Sequence, residues 1–411
     1  MMIKSTRKSK VVKVAAVAAA LGSLAAIGFA GSSPAQADPK QYEGLVAVGS
    51  DTTQDVTNAF AGFSSGINYT PLQSSVASGL TQMISFDAGA TSCIATKTGA
   101  GLMLRPNGST GGRRALSQIG QGVSTWGTGS PCGPRDPSGL IDFARSSSGP
   151  ATGDTATVLT YVPFARDALT FAYYSADGTS GTDTTQANLD TIFTNGTGVI
   201  GTTPVIPCGI QTSSGSYGSW NGNVGVTNVE MEAGTALCRG VLGVPDTTGR
   251  LQEHNGAQLK IKGDLVAALS NSLCDGVVGG AVVPCTNVQV IIGFSASQFV
   301  ARSNGLADPN PGPGVALGSI AGLPFVTGTA PNVLANPAGY ANTTFGRDVY
   351  NVFLSPIIDD TTNGALQSLF VGPTSAVCSA DTTVTNLGFI PLSNAACGTT
   401  TLRGGYFTGN S

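Results

Sequence analysis

Short apolar runs alternate with amphipathic segments along the chain, and turns rich in Gly, Ser and Thr separate them. Residues 44–48 form an apolar run that predicts a strand, and residues 49–53 (Gly-Ser-Asp-Thr-Thr) break it. Apolar side chains then recur at helical spacing over residues 54–63. A hydroxyl or carboxylate of the turn would cap this helix. The pattern therefore predicts a strand, a polar turn and a helix, in that order.

The same order recurs further along the chain. Strands are predicted over residues 101–105, 140–144 and 205–207, and polar segments follow them at 106–112, 145–150 and 211–217. A short helix is predicted over residues 113–119. Apolar, β-rich runs also lie at 157–163, 168–174 and 287–294, and the Pro-rich segment 308–314 predicts a loop. Alternating strands and helices favour an α/β fold.

The first 37 residues have the pattern of a secretory signal peptide. Residues 1–13 carry five positive charges and no negative one, residues 14–30 are almost wholly apolar, and residues 35–37 (Ala-Gln-Ala) match a small-x-small cleavage site. A membrane anchor is the alternative, because the apolar stretch is long for a signal. Glycines and a serine interrupt it, however, and no later run is apolar enough to span a bilayer. We expect cleavage after Ala37 and export.

The length and the net charge of the chain after residue 37 limit its domain organisation and its partners. Without residues 1–37 it has 374 residues, with 15 basic and 23 acidic side chains and a net charge of −8. This length predicts two domains rather than one core. The negative charge argues against nucleic acid or an anionic membrane as a partner. It leaves an anionic ligand possible, because a buried site makes its own local field.

All eight cysteines follow residue 37, and an even number in an exported chain predicts disulfides. The spacing leaves the pairing open. Pairing of sequence neighbours is the simplest hypothesis: Cys93 with Cys132, Cys208 with Cys238, Cys274 with Cys285, and Cys378 with Cys397. A metal site is not expected, because the chain has no C-x-x-C motif and a single histidine.

Four polar turns follow the predicted strands, at residues 49–53, 108–112, 145–149 and 213–216. At least two of them lead into predicted helices, whose N-termini offer unpaired N–H groups and a partial positive charge. Hydroxyls add donors, and glycine lets the backbone approach closely. For any single turn, ordinary helix capping is the alternative. Together, the turns predict a site for a dehydrated oxyanion.

The order of these turns resembles that of the phosphate-binding proteins of ABC transporters. The motifs are Gly-Ser-Asp-Thr-Thr (49–53), Asn-Gly-Ser-Thr-Gly-Gly (107–112), Asp-Phe-Ala-Arg-Ser-Ser (142–147) and Ser-Gly-Ser (214–216). Residues 162–168, 292–295 and 347–352 also look like the exported Gram-positive relatives. The resemblance covers nearly all of the chain after residue 37, and the order of the short motifs makes it specific.

The resemblance implies a type II periplasmic-binding-protein fold, in which two α/β lobes enclose a ligand. Lobe I would comprise residues 38–164 and the returning segment 345–411, and lobe II residues 165–344. It implies a monomer that needs no cofactor and performs no catalytic step. An ABC transporter permease would be the partner, and phosphate or a similar small anion the ligand.

The resemblance also implies which residues contact the ligand. They are Ser50, Asp51, Thr52 and Thr53 in the first turn, Ser109 and Thr110 in the second, and Ser214, Gly215 and Ser216 in lobe II. The third turn adds Arg145, Ser146 and Ser147. This chain departs from the family, because the family arginine falls on Ile210 and its aspartate near Ser147. Arg145, or else Arg166, would then supply the cation, and Asp51 the acceptor for a protonated phosphate oxygen.

Two other functions remain open. A hydrolase would use residues 62–66, which match the G-x-S-x-G motif, or His254. A helix rather than a strand is predicted before residue 62, and His254 is predicted to lie in an exposed polar stretch. For Trp126 and Trp220, packing in a core or a lid is the favoured interpretation, and stacking on a sugar-like ligand is the alternative. An envelope protein with a degenerate cleft is the second alternative, which Ile210 favours.

Overall fold

The computed structural model contains the alternating strands and helices that the sequence predicts. It describes residues 38, 44–73, 82–89, 92–178, 180–236, 238, 250–269 and 285–407. The expected signal peptide, residues 1–37, lies outside the described residues. Ala37–Ser411 form one compact unit.

Strands of two to sixteen residues build the sheets. In chain order they are β1 Leu45–Gly49, β2 Phe63–Ser64, β3 Ile67–Asn68, β4 Met83–Ser85, β5 Cys93–Ile94, β6 Met103–Leu104, β7 Phe143–Ser146, β8 Leu159–Tyr174, β9 Asp183–Thr184, β10 Gly198–Ile200, β11 Thr203–Pro207, β12 Gly209–Ile210, β13 Arg250–Leu251, β14 Gln289–Ser295, β15 Ala316–Leu317, β16 Ser319–Ile320, β17 Val326–Thr327, β18 Leu334–Ala335, β19 Gly346–Leu354, β20 Ile390–Pro391 and β21 Arg403–Gly404.

Helices connect many of these strands. They are α1 Gln54–Phe60, α2 Gly108–Gln121, α3 Gln186–Asn195, α4 Gly215–Val224, α5 Asn228–Gly234, α6 Gly256–Ala267, α7 Ala296–Ser303, α8 Pro337–Tyr340, α9 Ser355–Ile358, α10 Gly364–Phe370 and α11 Asp381–Asn386. Within the described ranges, none of these helices combines the length and the apolar character that a membrane crossing requires.

One large mixed sheet organises the fold. Its order is β10-β11-β14-β8-β19-β7-β1-β4, and β15, β20 and β21 also pair with β8. At one end β4, β1 and β7 are parallel, and at the other end β11 is parallel to β14. The antiparallel pair β8 and β19 joins the two ends. The carboxyl ends of paired parallel strands lie side by side, which brings the turns that follow them together.

Strand β8 runs without a break through both β-rich runs and the more polar residues between them. Its polar residues have charged partners on β19, where Arg166 lies 2.7 Å from Asp348 and Asp167 lies 2.9 Å from Arg347. Pairing across the strand therefore satisfies the charges that interrupt the apolar pattern. The first part of β8 pairs with β19 and the last part with β14, so one strand belongs to both ends of the sheet.

Helix α2 begins at Gly108, five residues before the predicted start. Glycines lower helix propensity, so the sequence favours a turn there. Tertiary packing overrides this preference, because α2 lies directly on β1. A Cβ at Gly112 would be 2.8 Å from the Cα of Gly49. The glycines that mark a turn in the sequence are the residues that let this helix approach the sheet.

The apolar side chains form separate cores at the two ends of the sheet. Phe171, Trp220 and Phe294 belong to the core that includes β14. Phe60 and Phe143 belong to the core that covers β1 and β7. The prediction of an α/β fold with two lobes is confirmed, because each end of the shared sheet has a core of its own. The lobe boundaries at residues 164 and 344 stay predictions.

The disulfides pair sequence neighbours. Three bridges join pairs of described cysteines: Cys93–Cys132, Cys208–Cys238 and Cys378–Cys397. Each closes a loop of modest length, with sequence separations of 39, 30 and 19 residues. The prediction is confirmed for these three pairs. Cys285 is also disulfide-bonded, and its expected partner, Cys274, lies outside the described residues.

Candidate functional site

The four polar turns meet at one place. The turns after β1 and β7 are neighbours because these strands are paired in parallel, with Gly49 opposite Arg145. Asn107, just before α2, forms an isolated bridge with Gly49. Helix α4 approaches from the other end of the sheet, and the backbone N–H of Thr110 donates to the carbonyl oxygen of Ser213 at 3.2 Å. The fold therefore brings together turns that are far apart in the sequence.

The N-termini of α2 and α4 are in direct contact. The hydroxyl oxygens of Ser109 and Ser147 lie 3.1 Å apart, and the Ser147 N–H donates to Ser109 Oγ at 3.0 Å. A Cβ at Gly215 would be 2.5 Å from Ser109 Oγ and 2.6 Å from Ser147 Oγ, so a larger residue would force the turns apart. Each helix N-terminus carries a partial positive charge, and here two of them face one spot.

A cleft of about 1040 Å³ opens beside this contact. Of the predicted ligand-binding residues, four line it: Thr110, Ser147, Ser214 and Gly215. The others, at 50–53, 109, 145, 146 and 216, are buried outside its lining. The cleft is therefore the part of the site that a ligand in solution can reach.

Arg347, which lines the cleft, is a site residue that the sequence analysis missed. Its Nε and Nη2 donate to Asp167 Oδ2 at 3.1 and 2.9 Å, and Nη2 also donates to Ser216 Oγ at 2.7 Å. Its buried Nη1 has no hydrogen-bond partner in the part of the chain that the structure describes. Arg347 lies 131 residues from Ser216 in sequence, so no local pattern links the two.

Thr52 Oγ1 is the centre of a buried polar network behind the cleft. It lies 2.8 Å from Glu253 Oε1, 3.0 Å from His254 Nε2, and 3.3 Å from both Ser216 Oγ and Arg347 Nη2. A hydroxyl has one proton and two lone pairs, so it can donate to the carboxylate and accept from two of the others. The network connects the turn after β1 to α4 and to β19.

Arg145, the predicted cation, is completely buried and directed at the backbone. Its Nη1 donates to Ser85 Oγ at 2.6 Å, its Nε to Ser50 O at 3.3 Å, and its Nη2 to the carbonyl oxygens of Gly49 at 3.2 Å and Phe86 at 2.8 Å. Burial lowers the pKa of Arg145 to about 10. The structure thus places this guanidinium inside the turn, where it stabilises the backbone.

Several predicted hydroxyls also have structural partners. Ser146 Oγ donates to Ser148 O at 2.7 Å, and Ser214 Oγ caps α4 by accepting the N–H of Ser216 at 2.9 Å. The hydroxyl oxygens of Ser50 and Thr53 are buried and have no hydrogen-bond partner among the described residues. The hydroxyls of these turns therefore include some that cap or brace the backbone and some that are buried without a partner among the described residues.

Asp51 lies in a buried cluster of amides and carboxylates. Its Oδ2 accepts hydrogen bonds from Gln211 Nε2, at 3.2 Å, and from Gln252 Nε2. Burial, and then the negative charge of Glu253, raise the pKa of Asp51 well above its ordinary value. The role of Asp51 as an acceptor for a protonated oxygen stays a prediction.

The prediction that His254 is exposed is wrong, because its side chain is completely buried. Its Nδ1 accepts the backbone N–H of Ser295 at 3.2 Å, and its ring packs edge-on against Phe294 with centroids 5.3 Å apart. Burial lowers the pKa of His254 and favours the neutral ring. Because Nδ1 accepts, the proton of the neutral ring lies on Nε2. Nε2 then donates to Glu253 or Thr52.

The remaining sequence candidates have structural roles. Phe63–Ser64 form a hairpin strand with Ile67–Asn68 directly after α1, so residues 62–66 lack the strand-to-helix turn of a nucleophile elbow. Trp126 and Trp220 are both buried in apolar cores. Ile210, at the position of the family arginine, is also a core residue.

Asp55 at the start of α1 gives a testable pH dependence. It is buried, its Oδ2 lies 3.9 Å from Arg302 Nη2, and burial raises its pKa to about 6. Because the pKa of this carboxyl is higher in the folded than in the unfolded protein, its protonated form favours folding. This contribution to stability is fully present at a pH below the pKa of the unfolded state, and it is lost as the pH rises through 6. We expect Asp55→Asn to be more stable than wild type by about 2–3 kcal/mol at pH 8 and to show little difference at pH 3.5.

Urea unfolding at the two pH values measures this difference. The matched control is Asp381→Asn, at an exposed carboxylate at the start of α11, with an expected change below about 1 kcal/mol at both. A variant Asp55→Asn that is less stable than wild type at pH 8 would contradict the prediction.

Comparisons with known proteins find similarity at the level of solved structures. No protein-family model and no curated protein sequence matches the chain. A Clostridium perfringens protein assigned as a phosphate ABC transporter substrate-binding protein, solved with bound phosphate, is 12% identical, with 85% of this chain and 100% of that chain covered and a TM-score of 0.42. An ABC-type phosphate transport receptor from Vibrio cholerae is 14% identical, with 84% and 99% covered and a TM-score of 0.40. PstS from Borrelia burgdorferi is 13% identical, with 85% and 99% covered and a TM-score of 0.38.

These likenesses describe the backbone, so the interpretation of the site depends on its own contacts. Among the described residues, no group of three or more His, Cys, Asp or Glu side chains is arranged to hold a metal ion. The lining includes the Thr110 hydroxyl, Gly215 at the start of α4, and guanidinium groups. Such donors bind anions.

Proposed function

We propose that this chain is an exported solute-binding protein that captures an oxyanion, with phosphate as the first candidate, between its two lobes. The carrying observation is that the N-termini of α2 and α4 meet beside a cleft that Arg347 also lines. Two partial positive charges and one guanidinium at the same place favour a negative ligand.

Neutral donors would form most of the anion site. Thr110 and Gly215, at the starts of α2 and α4, line the cleft, and the Thr110 hydroxyl and the Gly215 N–H would be such donors. The backbone N–H groups of Thr110 and Ser147 donate within the protein, to Ser213 O and Ser109 Oγ. Arg347 would supply the cation in place of Arg145, because its Nη1 has no hydrogen-bond partner among the described residues. Asp167, which pairs with Arg347 at 2.9 Å, would hold the guanidinium in place.

Lobe closure would be the mechanism of capture. The Thr110–Ser213 hydrogen bond and the Thr52 network join the two ends of the sheet directly. A ligand that contacts both α2 and α4 would stabilise this arrangement through its differential affinity for it. Residues 38–164 with 345–411, and residues 165–344, would be the moving lobes, and a monomer would deliver the anion to an ABC transporter permease.

The buried imidazole of His254 fits a solute-binding protein better than it fits a hydrolase. An acyl or phosphoester hydrolase would use His254 to take a proton from Thr52, whose Oγ1 lies 3.0 Å from Nε2. Because Nδ1 accepts the Ser295 N–H, the neutral ring already has its proton on Nε2. The imidazole is thus a donor to Thr52 or Glu253, which supports a positioning role without a catalytic step.

A thermal-shift series tests the proposal. The protein is dialysed free of phosphate and then heated with phosphate, arsenate or sulfate. An anion at 100 times its dissociation constant is expected to stabilise the protein by about 2.7 kcal/mol. Thr110→Ala is expected to weaken binding about tenfold, because it removes a hydrogen bond to a charged ligand.

The matched control is Thr191→Ala, on the exposed side of α3, which should leave the shift unchanged. No shift with any anion would contradict the oxyanion site. That result would favour an envelope protein whose cleft has lost its ligand.

A further inference from the structure

Two arginines of the cleft, Arg250 and Arg347, lie beside the first turn of α4. Arg347 Nη2 donates to Ser216 Oγ at 2.7 Å, and the Arg250 guanidinium lies over the ring of Tyr217, with 4.7 Å from Cζ to the centroid. Each arginine has a buried Nη1 with no hydrogen-bond partner among the described residues. A buried donor without an acceptor costs free energy, and a bound anion would supply that acceptor.

Carboxylates already neutralise most of the positive charge of the cleft. Four arginines line it, and three of them form ion pairs with Asp348, Glu232 and Asp167. Among the described residues, one positive charge is left in excess, that of Arg113. Its guanidinium donates to two backbone oxygens of the polar turns, at 3.1 and 3.4 Å. A phosphate with two negative charges therefore gains another cation only where a carboxylate leaves its arginine.

Glu232 is the carboxylate that can leave most easily. Its side chain is 46% exposed, whereas Asp167 is completely buried and Asp348 is 31% exposed on β19, inside the large sheet. A carboxylate at the surface loses little when its ion pair opens, because water solvates the separated charge. Rotation of the Glu232 side chain towards water would free the guanidinium of Arg250.

Helix α5 itself gains nothing from the charge of Glu232. This residue lies in the last turn of the helix, where the helix dipole disfavours a negative charge. Glu230, in the first turn, has the opposite role, because it completes a capping box with Thr227. The Asn221 Nδ2 donates to Asn228 Oδ1 at 2.8 Å and ties α5 to α4. Opening of the ion pair therefore needs only a side-chain movement.

Arg250 has contacts that keep it in place when Glu232 leaves. Its backbone lies on β13, which pairs with β12 with Arg250 opposite Gly209. Its stem packs on the same glycine, where a Cβ would be 3.5 Å from Arg250 Cγ. The ring of Tyr217 supports the guanidinium. The Arg250 side chain is only 7% exposed, so its orientation does not depend on the carboxylate alone.

We propose that Arg250 is a second ligand-binding arginine and that Glu232 is its internal competitor, which the incoming anion displaces. The anion then accepts from Arg347 and Arg250 together at the start of α4, and the Glu232 carboxylate turns to water. This inference rests on the proposed function, because it concerns the same anion. It adds a binding residue and a carboxylate that limits the affinity of the wild-type protein.

Calorimetric titration with inorganic phosphate at constant pH and ionic strength tests the role of Glu232. If the ion pair is closed in about nine of ten unliganded molecules, it lowers the apparent affinity about tenfold. We therefore expect Glu232→Gln to bind phosphate about five- to tenfold more tightly than wild type. Glu230→Gln is the matched control, because it removes the same charge from the same helix, lies outside the cleft lining and keeps the capping box. It should keep the wild-type affinity.

Arg250→Met tests the arginine and its coupling to Glu232. It is expected to weaken phosphate binding about tenfold, because a charge-assisted hydrogen bond is lost. In this background Glu232→Gln should change the affinity less than about twofold, because no guanidinium remains to be released. An equal gain in both backgrounds would indicate simple repulsion and overturn the competitor role. Unchanged affinity in Arg250→Met would overturn its role in binding.

The wild-type protein separates failure of this inference from failure of the proposed function. If wild type binds phosphate and Glu232→Gln binds it no more tightly, the inference is overturned and the proposed function stands. If wild type binds none of phosphate, arsenate and sulfate, both are overturned together.

Discussion

Replacing Arg347 with methionine is expected to lower the affinity for the anion at least about 100-fold, because a guanidinium that pairs with a desolvated anion contributes several kcal/mol. Methionine keeps much of the volume of the side chain and removes all of its donors. The hydrogen bonds to Asp167, Ser216 and Thr52 are lost with them. Titration with phosphate at constant ionic strength measures the change.

The same substitution should also destabilise the fold. Asp167 is completely buried, and its Oδ2 would lose its cation. An unpaired buried charge typically costs about 3–5 kcal/mol. A loss of binding in Arg347→Met alone could therefore result from partial unfolding.

The double variant Arg347→Met with Asp167→Asn separates these effects. Asparagine keeps Oδ1, which accepts from Ser295 Oγ at 2.7 Å and from the Ser297 N–H at 3.2 Å. It removes the charge that Arg347 neutralises, so we expect most of the stability to return. Binding should remain lost. If the double variant binds phosphate as tightly as wild type, Arg347 is not the cation of the site.

Gly108→Ala is expected to prevent the contact between α2 and α4. Gly108 has a φ of +66°, and its added Cβ would lie 2.2 Å from the backbone oxygen of Ser213. That oxygen belongs to the main chain, so relief requires movement of a whole turn. The Thr110 N–H would then lose its acceptor. We expect a loss of anion affinity of at least about tenfold and a loss of stability of about 2–4 kcal/mol.

Gly122→Ala is a matched control at the other end of the same helix. Gly122 also has a φ of +66°, but a Cβ there would meet nothing within 4 Å. The variant should lose only about 1–2 kcal/mol of stability, which is the cost of placing alanine in the left-handed region, and it should keep the wild-type affinity. Equal affinities for Gly108→Ala and Gly122→Ala would show that the contact of α2 with Ser213 is not needed for binding. Titration and urea unfolding of both variants provide the comparison.

The local features of the site could be predicted from the sequence because they depend on neighbouring residues. Turns of Gly, Ser and Thr after apolar runs marked the ends of β1 and β7, and their hydroxyls are near the site. Disulfides between neighbouring cysteines were predicted in the same way, and three of the four are confirmed. Short loops and helix caps are local interactions, so the sequence pattern identifies them.

The identity of the cation could not be predicted in this way. Arg145 follows an apolar run in a polar turn, which favours exposure, yet it is buried because its donors reach Ser85 and three backbone carbonyls. His254 lies in a polar stretch and is buried because Ser295 and Glu253 satisfy both ring nitrogens. Polar residues become buried when distant partners satisfy them, and a local pattern does not contain those partners.

By itself, the sequence therefore determined the α/β class, the order of strand, turn and helix, the presence of disulfides and the presence of several turns suited to an anion. The structure decided which cysteines pair. Only the tertiary structure decided which residues of those turns line the cleft and which cation accompanies them. The pairing of β8 with β19 places Arg347 opposite Asp167 and brings it to Ser216, 131 residues away. The physical reason is that secondary structure and capping arise from contacts between residues close in sequence. The charge of the cleft arises from strand register, which joins residues that are far apart.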